Sequence, residues 1–198
     1  MRKKALAIVA HPDDEIIWMG GLILKNPDWE WTVISLCRKS DRDRNPKFFR
    51  VCKILKIHGI MADLDDKLLK PLDKKILTET ILKNVNKSYD YVVTHGKNGE
   101  YGHIRHKEIF EVVRKIIADK DIICKKFINF DYATGKNITY PDLLPPLPRD
   151  DADLVITLTH KELDLKKKII REIYGYPDEK GFELISCNSR ESFSVIEC

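Results

Sequence analysis

Residues 5–15 read Ala5-Leu6-Ala7-Ile8-Val9-Ala10-His11-Pro12-Asp13-Asp14-Glu15. The apolar half predicts a strand over 5–10. The abrupt change to a histidine, a proline and three acids then puts a polar cluster at the strand's carboxyl end. The basic start, Met1-Arg2-Lys3-Lys4, imitates a secretory leader, but the apolar stretch falls short of the roughly 7–15 residues such a leader needs, and no small-residue cleavage site follows. A first strand of a cytoplasmic protein is the expectation.

Outward from this stretch, short β-rich runs alternate with longer amphipathic ones. Strands are predicted at 5–10, 31–37, 91–94, 126–130 and 153–158, and helices at 15–24, 47–57, 73–85, 105–118 and 160–174. In the fourth helix Ile109, Val112, Val113, Ile116 and Ile117 recur at helical spacing and should face a sheet. The alternation predicts an α/β fold with a mostly parallel sheet. Residues 193–196 are expected to supply a last strand or an edge. Residues 40–46, which are charged, and 140–148, which hold four prolines, read as loops. With no repeat and no break in composition, 1–198 is expected to be one domain.

Composition excludes several functional classes. Thirty-five basic against 31 acidic residues leave a net charge of +4, spread among acidic neighbours as solvated faces, so no nucleic-acid partner is expected. No run of about 18 apolar residues supplies a transmembrane span, hence no permanent membrane anchor. Cys37, Cys52, Cys124, Cys187 and Cys198 are odd in number and contain no C-x-x-C pair, which reads as free thiols rather than a disulfide framework or thiolate zinc site.

Open parallel sheets bind ligands at the carboxyl ends of their strands. Two polar clusters fall there: His11-Pro12-Asp13-Asp14-Glu15 and, after 91–94, the segment from His95 through Tyr101 and His103 to His106. A histidine with two carboxylates and a His-x-x-His pair provide the three nitrogen or oxygen ligands of a catalytic metal site, with a donor chemistry suited to zinc or iron rather than magnesium. Asp13 and Asp14 diverge as neighbours, so one can ligate while the other acts as a base. The same residues also make a good helix start, since proline tolerates the first turn and acids suit the positive end of the helix dipole.

Together the AHPDDE string at 10–15, Gly20-Gly21 and the THGKNGEYGHIRHKEI string at 94–109 closely resemble the PIG-L/LmbE-like family of zinc-dependent N-deacetylases. The resemblance implies a Rossmann-like domain with helices on both sheet faces. It implies His11, Asp14 and His106 as zinc ligands and Asp13 as general base, while the donor chemistry itself leaves Fe2+ as the alternative metal. By the same resemblance His103 is a cationic helper that stabilises the oxyanion and protonates the leaving amine, Tyr101 reaches that oxyanion, and Arg42 or Arg44 holds the substrate. The implied partner is a small molecule or glycoconjugate bearing an N-acetylamino sugar of the N-acetylglucosamine type. The competing reading is a metal-binding or carbohydrate-binding α/β protein without turnover.

Other residues have supporting expectations. Glu15 complements the helix dipole or bonds a ligating histidine, Gly20 and Gly21 allow close packing, and His95 is structural or supports a ligand. His58 and His160 lie outside both motifs. Asp131 and Tyr132 sit on the edge facing the substrate. Leu143, Leu144 and Leu147 fit either a pocket rim or a homo-oligomer contact.

Overall fold

The computed structural model describes residues 2–134 and 144–198. In chain order the elements are β1 (Lys4–Val9), α1 (Asp14–Ile17), α2 (Gly20–Lys25), β2 (Glu30–Cys37), α3 (Arg44–Leu55), β3 (His58–Leu64), α4 (Lys74–Asn84), β4 (Tyr91–Thr94), α5 (Gly99–Gly102), α6 (Ile104–Ala118), β5 (Lys126–Phe130), β6 (Tyr132–Ala133), β7 (Leu147–Pro148), β8 (Leu154–Thr157), α7 (His160–Lys168), a π-helical turn (Ile169–Tyr174), α8 (Phe182–Ile185) and β9 (Arg190–Glu197).

The main sheet runs β3-β2-β1-β4-β5-β9-β8. The first five strands in that order are parallel, and β9 runs antiparallel to both neighbours. Period-two alternation divides β1 between two cores. Ala5, Ala7 and Val9 pack with α3, the π-helical turn and α8, while Leu6 and Ile8 pack with α4 and α6. Helices therefore cover both faces, in the mostly parallel α/β arrangement expected from the alternation. Strand order reverses between β1 and β4, so the loops leaving those two strands lie side by side at the carboxyl edge. Both polar clusters are in those loops.

Several expectations are corrected. Residues 190–197 form the last strand expected over 193–196, but it is longer and lies inside the sheet between β5 and β8, not at an edge. β3 was not anticipated, because Ile57 continues the helical spacing of α3 and Gly59 interrupts a strand pattern. The helix in fact stops at Lys56, whose left-handed φ of 55° turns the chain into β3. The first helix, expected over 15–24, breaks into α1 and α2 at Trp18 and Met19. In the 140–148 loop, Leu147 and Pro148 pair with Ala133 and Tyr132, whereas Pro141 and Leu143 lie outside the described residues. Leu144 and Leu147 are exposed.

A buried charge pair joins the carboxy-terminal strand to α7, and its carboxylate ties both to α2. Lys166 Nζ donates to Glu191 at 2.7 Å, and Glu191 also accepts the Gly21 and Leu22 amides at 2.7 and 3.0 Å, closing the first turn of α2. Gly21 packs closely as expected: a Cβ there would stand 2.7 Å from Leu158 and 2.9 Å from Glu191. Gly20 has ordinary room, with nothing nearer than 3.7 Å. All five cysteines are unpaired. Among the described residues no helix is long and apolar enough to cross a membrane.

Candidate metal centre

The turns after β1 and β4 are fastened to one another through His95. Its Nε2 accepts the Ala10 amide at 2.9 Å, and its Nδ1 lies 2.9 Å from Glu100. Beyond Ala10 the chain curls so that Asp14 Oδ2 accepts the His11 amide at 2.8 Å, while Trp18 Nε1 donates to the other Asp14 oxygen at 2.9 Å. Asp13, at the corner, is forced to φ 123°, a strained conformation for a residue with a Cβ. Its amide is bonded by Glu15 at 3.0 Å. Glu15 thus holds the corner and accepts from the Tyr174 hydroxyl, and neither bond is to a ligating histidine.

His11, Asp14 and His106, far apart in sequence, meet in a small triangle. His11 Nδ1 lies 3.3 Å from Asp14 Oδ2 and 3.3 Å from His106 Nε2, and His106 Nε2 lies 3.5 Å from Asp14 Oδ2. Donors about 2.0–2.2 Å from a tetrahedral ion are separated by roughly 3.3–3.6 Å, so the triangle has the dimensions of a three-ligand zinc site with one position open.

The remaining ring nitrogens agree with this choice of donors. His11 Nε2 is bonded to Asp66 at 2.9 Å, and His106 Nδ1 to Glu100. A carboxylate on one nitrogen of an imidazole leaves the lone pair of the other for a metal. Among the described residues three other groupings lie within reach of one ion: His11 with His103 and His106, and two less suitable ones, Asp14 with His95 and His106, and His11 with Cys37 and Asp66. His95 has committed both nitrogens. Cys37 is held as the neutral thiol by burial and the Asp66 charge, and so does not offer a thiolate.

The electrostatics favour a cation at the triangle. Burial pushes the Asp13 pKa up to about 8, reinforced by the Asp14 charge. Burial acts on Asp14 in the same direction, but the His106 ring beside it and the His11 hydrogen bond outweigh it and hold Asp14 well below the usual carboxylate range. His11 is disfavoured as a cation by burial, yet its bonds to Asp14 and Asp66 lift its pKa to about 10. Clustered buried carboxylates are an environment that a metal ion relieves.

A polar cavity of about 220 Å³ opens beside the triangle, lined by His11, Asp13, Asp14, Tyr101, His103 and Arg44 among others. It lies below the roughly 300–1,000 Å³ of drug-sized pockets and suits one small polar group. His103 packs 4.7 Å from His106 between ring centres, but it caps α6, its Nδ1 accepting the Arg105 amide at 3.3 Å. An Nδ1 used as acceptor carries no proton, and burial with the nearby histidine charges lowers its pKa to about 3. The cap thus leaves Nε2 as the His103 nitrogen not engaged by the helix. Arg44 stacks on Tyr176, with its Cζ 4.4 Å from the ring centre, and Arg44 Nη1 lies 3.7 Å from Asp13 Oδ2. Arg42 is exposed and outside the cavity lining. Tyr132 is buried behind the site, bonding the Trp18 carbonyl at 2.9 Å, and Asp131 is also outside the lining.

Four site residues were unassigned in the sequence. Glu100 lay inside the quoted second motif. Arg38 immediately follows a predicted strand, which was a usable signal. Asp66 follows the unanticipated β3, and Tyr176 follows the π-helical turn; neither has a local pattern that marks it.

Comparison with known proteins decides the family. The PIG-L model, described as GlcNAc-PI de-N-acetylase, matches residues 6–117. The chain belongs to the PIG-L family. An uncharacterized protein of Acanthamoeba polyphaga mimivirus is 26% identical over 186 residues, covering 83% of this chain and 78% of that one. Among solved structures, N,N'-diacetylchitobiose deacetylase from Pyrococcus horikoshii superposes with TM-score 0.70 at 18% identity, covering 98% of this chain and 84% of the other. The 4-carboxy-2-hydroxymuconate hydratase of Pseudomonas putida gives TM-score 0.64 at 14% identity, covering 99% and 97%. These structural likenesses establish a shared fold. Because their named activities differ, the chemistry of this PIG-L member has to be argued from its own site.

Proposed function

We propose that this PIG-L member is a metal-dependent N-deacetylase that hydrolyses the acetamide of an N-acetylglucosamine-type sugar or glycoconjugate. The observation that carries the reading is the triangle of His11 Nδ1, Asp14 Oδ2 and His106 Nε2 beside Asp13 at the mouth of a polar cavity. The family description and the named activity of the Pyrococcus neighbour support the acetyl group and the sugar class. Zinc, or ferrous iron on the same donors, would be held by His11, Asp14 and His106 and would supply Lewis acidity and a water activated near neutral pH.

The chain's own groups divide the remaining work. The Asp13 carboxylate takes the proton of the attacking water, oriented by the Tyr176 hydroxyl and the Arg44 guanidinium. Tyr101 and the Nε2 hydrogen of His103 stabilise negative charge developing on the amide oxygen, and the proton taken up by Asp13 passes to the departing nitrogen. Arg44, whose Nη1 has no hydrogen-bond partner among the described residues, holds substrate oxygens.

Acetate release from a panel of N-acetylglucosamine derivatives, with Asp13→Ala run beside the wild type and bound metal quantified in both, tests the proposal. Turnover lost in the variant while metal is retained is the expected result. Stoichiometric metal in the wild type with no acetate release above the variant would overturn the deacetylase reading in favour of a binding protein without turnover.

A further inference from the structure

The loop after β3 brings to the centre a carboxylate that neither motif contains. Asp66 is bonded to His11 Nε2 at 2.9 Å, and Arg38 grips the second Asp66 oxygen through Nε at 3.0 Å and Nη2 at 2.7 Å. Arg105 anchors the preceding residue. Fully buried, it donates from Nε to the Asp65 carbonyl at 2.6 Å, places Nη2 3.3 Å from the Asp65 carboxylate, and pairs through Nη1 with Glu108 at 2.7 Å. Arg105 immediately precedes His106 on α6. One helix thus carries one ligand of the triangle and the clamp on the loop that orients another.

We propose that Asp66 is a positioning residue for the metal centre, selecting the His11 tautomer whose Nδ1 lone pair faces Asp14 and His106, with Arg38 and Arg105 holding its loop. This rests on the metal-centre reading above. The physical reason is that an imidazole has two nearly equivalent nitrogens and a ring free to rotate. A carboxylate on Nε2 fixes the ring, and when metal binding displaces the Nδ1 proton to solvent it keeps the remaining hydrogen on Nε2. The network joins the β3 loop to Arg38 and Arg105 at the carboxyl edge, outside the strands, so its loss should act on metal affinity and not on the sheet.

Zinc affinity is measured by competition with a chromophoric chelator for the wild type, Asp66→Ala, Asp66→Asn, Asp63→Ala and His106→Ala, with denaturant unfolding of each metal-free protein in parallel. Asp66→Ala is expected to weaken zinc binding about 10–100-fold. Asp66→Asn, which keeps an oxygen acceptor for the Nε2 hydrogen, should fall between it and the wild type. Asp63→Ala, whose carboxylate bonds Ser40, should match the wild type. Wild-type affinity in both Asp66 variants would overturn the proposal. If Asp66→Ala does not fold, wild-type affinity in Asp66→Asn alone overturns it. A fall in metal-free stability with unchanged affinity would also overturn it, since that marks a structural role only. Zinc binding no weaker in His106→Ala than in the wild type would instead overturn the metal centre itself.

Discussion

The Tyr176 hydroxyl donates to Asp13 Oδ2 at 2.7 Å across 163 residues of chain, and Arg44 lies against both groups. Asp13 is therefore held from its side-chain end by the carboxy-terminal half of the molecule. Its backbone is held by Glu15. Tyr176→Phe removes the donor while keeping the ring on which Arg44 stacks. A hydrogen bond to a charged group contributes about 1.5–3 kcal/mol. Acetate release should accordingly fall about tenfold or more, with zinc content unchanged. Unaltered kcat in the variant would exclude Tyr176 from orienting the base.

Zinc should stabilise the folded chain through the triangle alone. At a free concentration a hundredfold above its Kd, a ligand that binds only the folded state adds about 2.7 kcal/mol. Denaturant unfolding with and without zinc should show that increment, reversed by a chelator, and His106→Ala should show almost none of it. An equal response in His106→Ala would place the stabilising ion elsewhere.

Lys166→Met should destabilise the fold without touching the site. It removes the cation from a wholly buried pair and leaves Glu191 with only the α2 amides. Breaking such a pair costs about 3–5 kcal/mol, and the amides should keep this case near 3 kcal/mol. The unfolding midpoint should then drop by about 6–12 °C. Zinc affinity of the folded variant is expected to match the wild type.

Gly96→Ala tests how tightly the turn after β4 is packed. A Cβ at this position would collide with the Phe130 carbonyl oxygen and stand 3.3 Å from Glu100 Oε1, which accepts the Gly96 amide at 2.7 Å. Backbone cannot yield as a side chain can, so a loss of about 3 kcal/mol is expected. Because Glu100 also bonds His106, zinc affinity should fall as well. Wild-type stability together with wild-type affinity would show that the turn can relax.

Reading the chain locally was enough for β1, for the α/β alternation and for the residue types of the site. These rest on hydrophobic periods and on short polar strings, which any neighbouring residues disclose. The same logic failed at β3, where Lys56 ended a helix that Ile57 seemed to extend. At β9 it reached the strand but not its interior place, which depends on β5 and β8 rather than on its own composition.

The site divides in the same way. His11, Asp14 and His106 were named from their motifs, and Asp13 beside them. Two arrangements needed the folded chain: which nitrogens of His11 and His106 face Asp14, and Arg44 rather than Arg42 at the cavity. Each is set by a partner distant in sequence or by backbone direction. Asp66 lies 55 residues from His11, Tyr176 lies 163 from Asp13, and the cap on Arg105 exists only because α6 begins at Ile104. Donor identity is a property of a side chain and can be read from its letter. Tautomer, orientation and protonation are properties of what the side chain touches, and those contacts exist only once the sheet has brought the loops after β1, β3 and β4 to one edge.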